Sequence, residues 1–83
     1  MLSTIPAEKI YDARTLSCEV KQPQVFARAR NLAPGDYFVL INGHNPLPLR
    51  YLLDSAHPGQ FSWENIQQDP NAFAVRVSRL KPA

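Results

Sequence analysis

The feature that most constrains this chain is an unbroken run of five β-forming residues, Tyr37–Phe38–Val39–Leu40–Ile41, set between two turn clusters. A strand with one wet face would alternate polar and apolar residues. This run does not, which predicts a strand covered at least in part on both faces, at the centre of a sheet. Pro34–Gly35–Asp36 leads into the run, and Asn42–Gly43–His44–Asn45–Pro46 breaks it. A central strand needs neighbours. Upstream, Glu8–Ala13 alternates weakly, with Ile10 first and Tyr11 second as inward candidates, and reads as a short first strand. Downstream, Phe61–Ile66 and Ala72–Leu80 read as two strands of an antiparallel hairpin, with Gln67–Asn71 as the turn. In the last strand Phe73, Val75 and Val77 share one side, and Ala74, Arg76 and Ser78 the other.

Two helical patterns lie between the strands. Residues 14–22 are polar and read as a loop. Pro23 suits a first helical turn, where its missing N–H costs nothing. Val25, Phe26, Ala29 and Leu32 then form an inner stripe, with Arg28, Arg30 and Asn31 outward. Pro34 ends that helix by Ala33. Asn45 is a good N-cap for the second helix, with Pro46 at its first position. Leu49, Leu52, Leu53 and Ala56 mark its inner stripe, and His57–Pro58–Gly59 ends it.

The order is therefore β-α-β-α-β-β, an α+β chain. Two helices with single apolar stripes cover one sheet face, giving a two-layer α/β sandwich with a four-stranded mixed sheet. The other sheet face is expected to be wet or to await a partner. At 83 residues and 45% hydrophobic the chain is one domain. Residues 1–7 read as a loose lead-in and 8–81 as the domain.

Composition excludes several classes. The net charge is +2, and the cations are scattered among acids, so no basic stripe for nucleic acid is expected. The run Tyr37–Ile41 is far short of the ~20 residues that span a bilayer. Met1–Ala13 has neither a basic start nor a long apolar run, so it does not read as a signal peptide. The lone Cys18 cannot form an internal disulfide. A cytoplasmic location is the expectation, with no cofactor.

Two stretches resemble known families. Ile41–Asn42–Gly43–His44–Asn45–Pro46–Leu47–Pro48–Leu49, followed by Phe61–Ser62–Trp63–Glu64 and Val75–Arg76–Val77–Ser78–Arg79, resembles the domain-of-unknown-function family numbered 2249. That family is similar in fold to the TusA/SirA sulfur-carrier group. Tyr11–Asp12–Ala13–Arg14–Thr15–Leu16–Ser17–Cys18 resembles the carriers' Leu-Asp-x-Arg-Gly-Leu-x-Cys, and Pro34–Gly35 their Pro-Gly. The carriers continue Cys-Pro-x-Pro where this chain reads Cys18–Glu19–Val20–Lys21. The resemblance implies a TusA-like fold, Cys18 at the reactive position, and a place in respiratory, nitrogen-oxide or redox metabolism.

The leading functional expectation is a small TusA-like binding or carrier module without catalysis of its own. Its working surface would be the loop Asn42–Pro48, centred on His44, with Asn45, Asn42, Cys18 and Arg14 beside it. Strand C-terminal ends next to helix starts favour ligands, and an imidazole there can hold a metal, a proton or an anion. The bland alternative is that His44 only fixes the turn. A second expectation is sulfur relay through a persulfide on Cys18, whose thiolate a helix start favours and Glu19 opposes. A third is a metal or small-ligand site at His44. The second histidine, His57, suits a helix C-terminus; a helix of about 11 residues, about 16 Å, separates the two. Trp63 and Phe61 share a side of their strand, as core or as an interface anchor. Arg14 is expected to pair with Asp12 or Glu19. A protein partner or small ligand is expected, on a monomer or weak homodimer.

Overall fold

The computed structural model describes residues 5–43, 46–69 and 72–80, without the side chains of Cys18, Gln68 and Asp69. After a short 3-10 turn at Ala7–Lys9, the elements are β1 (Ile10–Asp12), α1 (Cys18–Arg30), β2 (Tyr37–Asn42), α2 (Leu47–Ala56), β3 (Phe61–Asp69) and β4 (Ala72–Arg79). The sheet order is β1-β2-β4-β3. β2 runs parallel to β1, with Tyr11 opposite Leu40, and antiparallel to β4, with Leu40 opposite Val75. β3 pairs antiparallel with β4. The fold is the α+β, mixed four-stranded arrangement expected from the sequence, and β2 lies inside the sheet.

Alternation along β2 sorts the two faces. Phe38 and Leu40 join Val75, Val77 and Phe61 under Val25 and Ala29 of α1 and Leu49 and Leu53 of α2. Both helices therefore lie on this face. Full burial of a side chain such as Leu53 contributes roughly 1.5–3 kcal/mol. Trp63 packs against this same cluster, so the Phe61/Trp63 pair is core.

The opposite face is drier than the sequence implied. Val39, Ile41 and Ala74 are buried there, covered by Ile5, Ile10, Tyr37 and Ile66 rather than by a helix. Ile66 reaches its place through a register shift between Asn65 and Gln67, where β3 carries one extra residue against β4. Around the patch, Tyr37 lies between Lys9 and Arg76, whose charges stand 4.7 and 5.2 Å from its ring centre. These aliphatic stems and the ring cover a small area without a second layer.

Four local expectations are corrected. First, α1 begins at Cys18, not Pro23, so half of the expected loop is helix and Pro23 stands inside it. Val20 and Lys21 N–H both donate to the Ser17 carbonyl, starting the helix before the proline is reached. Pro23 and Glu19, whose carbonyl loses its donor, both lie on the exposed side. Second, Pro46 rather than Asn45 holds the N-cap position of α2, its carbonyl accepting from Arg50 N–H; Asn45 is outside the described residues. Third, Leu52 and Ala56 face solvent, and α2 rests on Leu49 and Leu53 alone. Fourth, β3 continues to Asp69, beyond the expected end at Ile66, because pairing with β4 resumes after the bulge.

The turn ahead of β2 follows its sequence. Asp36 N–H donates to the Ala33 carbonyl, and Gly35 takes φ +86°, the left-handed position that Pro-Gly turns assign to glycine. Arg79 closes the end of α1 by donating from Nη1 to the carbonyls of Arg30 and Leu32. That is the charge and geometry a helix C-terminus accepts.

Candidate functional site

The C-terminal end of β2 meets the first turns of both helices on the helix-covered face. There Lys21, Gln22, Asn42, Pro46, Pro48, Leu49 and Leu52 line a cavity of about 110 Å³. Lys21 lies on the inner stripe of α1, four residues before Val25 and eight before Ala29, and is only 5% exposed. Its Nζ donates to Oδ1 of Asn42, the buried last residue of β2, at 2.5 Å.

This arrangement is electrically incomplete. Taking an ammonium out of water costs several kcal/mol, and a neutral amide returns a hydrogen bond but no counter-charge. Among the described residues the ion pairs are Lys9–Asp36, Arg14–Asp12, Arg50–Asp54 and Arg76–Glu64. None involves Lys21. An ammonium has three N–H donors, and one is used on Asn42. The remainder of the described lining is largely proline and leucine, surroundings that screen an anion at Lys21 less than water does.

Of the residues singled out from sequence, Asn42 lines this cavity, and Pro46 and Pro48 of the same loop line it too. His44 and Asn45 lie outside the described residues. Cys18 is the first residue of α1, three before Lys21. Arg14 does not line the cavity. Its exposed guanidinium is held by Asp12, with Nη2 donating to Oδ2 at 2.6 Å and Nε to Oδ1 at 3.0 Å. That hydrogen bond is the main reason Asp12 is held below the usual carboxylate range and Arg14 is pushed up. His57 caps the C-terminus of α2 and meets the edge of Phe61, ring centres 5.9 Å apart.

A family model described as Uncharacterized conserved protein (DUF2249) matches residues 10–79, from the first residue of β1 to the last of β4. The chain belongs to this family. No curated protein and no solved structure matches it. For this DUF2249 domain no helix among the described residues is long and apolar enough to cross a membrane.

Sequence reasoning missed Lys21 and Gln22 because Pro23 fixed attention on a late helix start. The signal was there: stepping back four residues from Ala29 and Val25 lands on Lys21. A charged residue on an inner stripe reads as a break in the stripe until its burial is seen.

Proposed function

We propose that this DUF2249 domain is a small binding module that holds an anionic group at the C-terminal end of β2, between the first turns of α1 and α2. The observation that carries this is Lys21, a buried ammonium beside a cavity whose described partner is a neutral amide. The loop expected to be the working surface supplies three of the lining residues, Asn42, Pro46 and Pro48. The proposed role is accessory, in respiratory or redox metabolism and in the cytoplasm. The family resemblance supports the first, and a single cysteine suits a reducing compartment.

The test is thermal unfolding of wild type and Lys21→Met in a panel of sodium salts at constant ionic strength. At least one anion raises the wild-type melting temperature and leaves Lys21→Met unmoved. Equal responses in the two proteins, or none in either, end the reading.

A second reading, sulfur relay, draws on the backbone position of Cys18 at the first residue of α1, where helix N–H groups favour a thiolate. The Cys18 thiolate would take the terminal sulfur of a desulfurase persulfide, releasing the desulfurase thiolate. Intact mass after incubation with a cysteine desulfurase and cysteine would then rise by one sulfur atom in wild type and not in Cys18→Ser. An unchanged wild-type mass removes the relay.

A further inference from the structure

The chemistry of the cavity walls narrows the occupant beyond "an anion". Resting on the reading above, we infer that the site takes a short aliphatic monocarboxylate, with its carboxylate on Lys21 and its alkyl chain against Leu49, Leu52 and the two prolines.

Charge comes first. One buried ammonium is balanced by one negative charge. A phosphate carrying close to two would leave an excess charge among apolar walls, which is the costly arrangement. Donor count points the same way. After its bond to Asn42, Lys21 has two N–H groups left, matching the two oxygens of a carboxylate. A phosphate or sulfate presents more acceptors than that and is ordinarily met by free backbone N–H groups at a helix start. The start of α2 offers fewer such donors than an ordinary helix start, Leu47 and Leu49 alone among its first positions. Pro46 at its N-cap and Pro48 at its second position carry no N–H at all. The two prolines that thin the donors at this helix start are also the ones that give an alkyl chain an apolar wall.

Size sets the length. A cavity of about 150 Å³ accepts a six-carbon ring, so one of about 110 Å³ encloses roughly four or five non-hydrogen atoms. An acid of about three carbons is enclosed, a fourth carbon stands at the rim beside the exposed Leu52, and longer chains must emerge past it.

The experiment is a titration of the ¹⁵N-labelled full chain with butyrate, followed by amide chemical shifts, with acetate, octanoate, butyramide and inorganic phosphate as parallel arms. Butyrate is expected to give saturable shifts in the first turn of α1, at Asn42 and at the start of α2. Butyrate should bind tighter than acetate and octanoate. Butyramide, isosteric but uncharged, and the Lys21→Met variant with butyrate should each be weaker by about tenfold or more, the loss of a charge-assisted hydrogen bond. The chain-length and butyramide arms use wild type alone, so they stand if a variant folds poorly. Saturable binding of phosphate without butyrate overturns the carboxylate assignment and leaves the anion site in place. Butyramide binding as tightly as butyrate also overturns it. No saturable shift from any anion overturns both.

Discussion

Each end of β2 is met by a lysine from another element, and the two are treated in opposite ways. Before the start of the strand, Lys9 remains partly exposed, donates to Asp36, and stands over the Tyr37 ring. Its charge is answered by a carboxylate and by water. Beyond the end of the strand, Lys21 is buried against the amide of Asn42. A surface ion pair of the first kind is complete in itself and contributes modestly to stability. A buried ammonium with an amide partner spends stability, and such a charge is tolerated where something else benefits. The contrast locates the working end of this molecule better than the distribution of polar residues does.

Three measurements break or sharpen that contrast. The largest effect concerns the platform under the cavity. Leu53→Ala should cost about 2–5 kcal/mol in urea unfolding, because Leu53 is fully buried in the core beneath α2. Its neighbour Leu52, 45% exposed, should cost less than about 1 kcal/mol when changed to alanine while altering anion binding. Equal costs would mean that Leu52 is a core residue and the cavity is not open on its side.

The next effect tests the buried charge. Lys21→Met should raise stability by about 1 kcal/mol at neutral pH, since relief from burying an unanswered charge exceeds the loss of one hydrogen bond. Lys9→Met should lower stability slightly. If Lys21→Met is the more damaging of the two, Lys21 is a structural residue and the comparison fails.

The smallest effect is at acid pH. The hydrogen bond from Lys9, and then that from Tyr37 N–H, hold the Asp36 carboxyl below its ordinary value of 3.8, and Asp36 in turn pushes Lys9 above 10.5. The folded protein therefore binds the Asp36 proton less readily than the unfolded chain. The contribution is fully present above pH 3.8 and is lost as pH falls from there through the lowered folded value. Melting curves of Asp36→Asn should be flatter than wild type on the acid side and slightly below it near neutrality. Parallel curves across pH 3–7 would show that the Lys9–Asp36 pair contributes nothing.

The order of strands and helices along an α+β chain was legible in the sequence because hydrophobic alternation and turn residues are local signals. Tyr37–Ile41 marked the inner strand, Pro34–Gly35 its entry, and Val75/Val77 the inward side of β4. Other features depended on partners far along the chain. Pro23 inside α1, the exposure of Leu52, and the cover that Ile5 and Ile66 give to the second sheet face are of this kind. The emphasis on the loop after β2 came from sequence, and Asn42, Pro46 and Pro48 do line the cavity. Its buried cation did not come from sequence.

Sequence by itself determined the order of the strands and helices and the inward side of α1 from Val25 onward, because spacing along a chain is all that those properties require. Only the tertiary structure decided that Lys21 is enclosed beside Asn42, 21 residues away. The electrostatic cost of a charge depends on what excludes water from it, and those groups are assembled by folding.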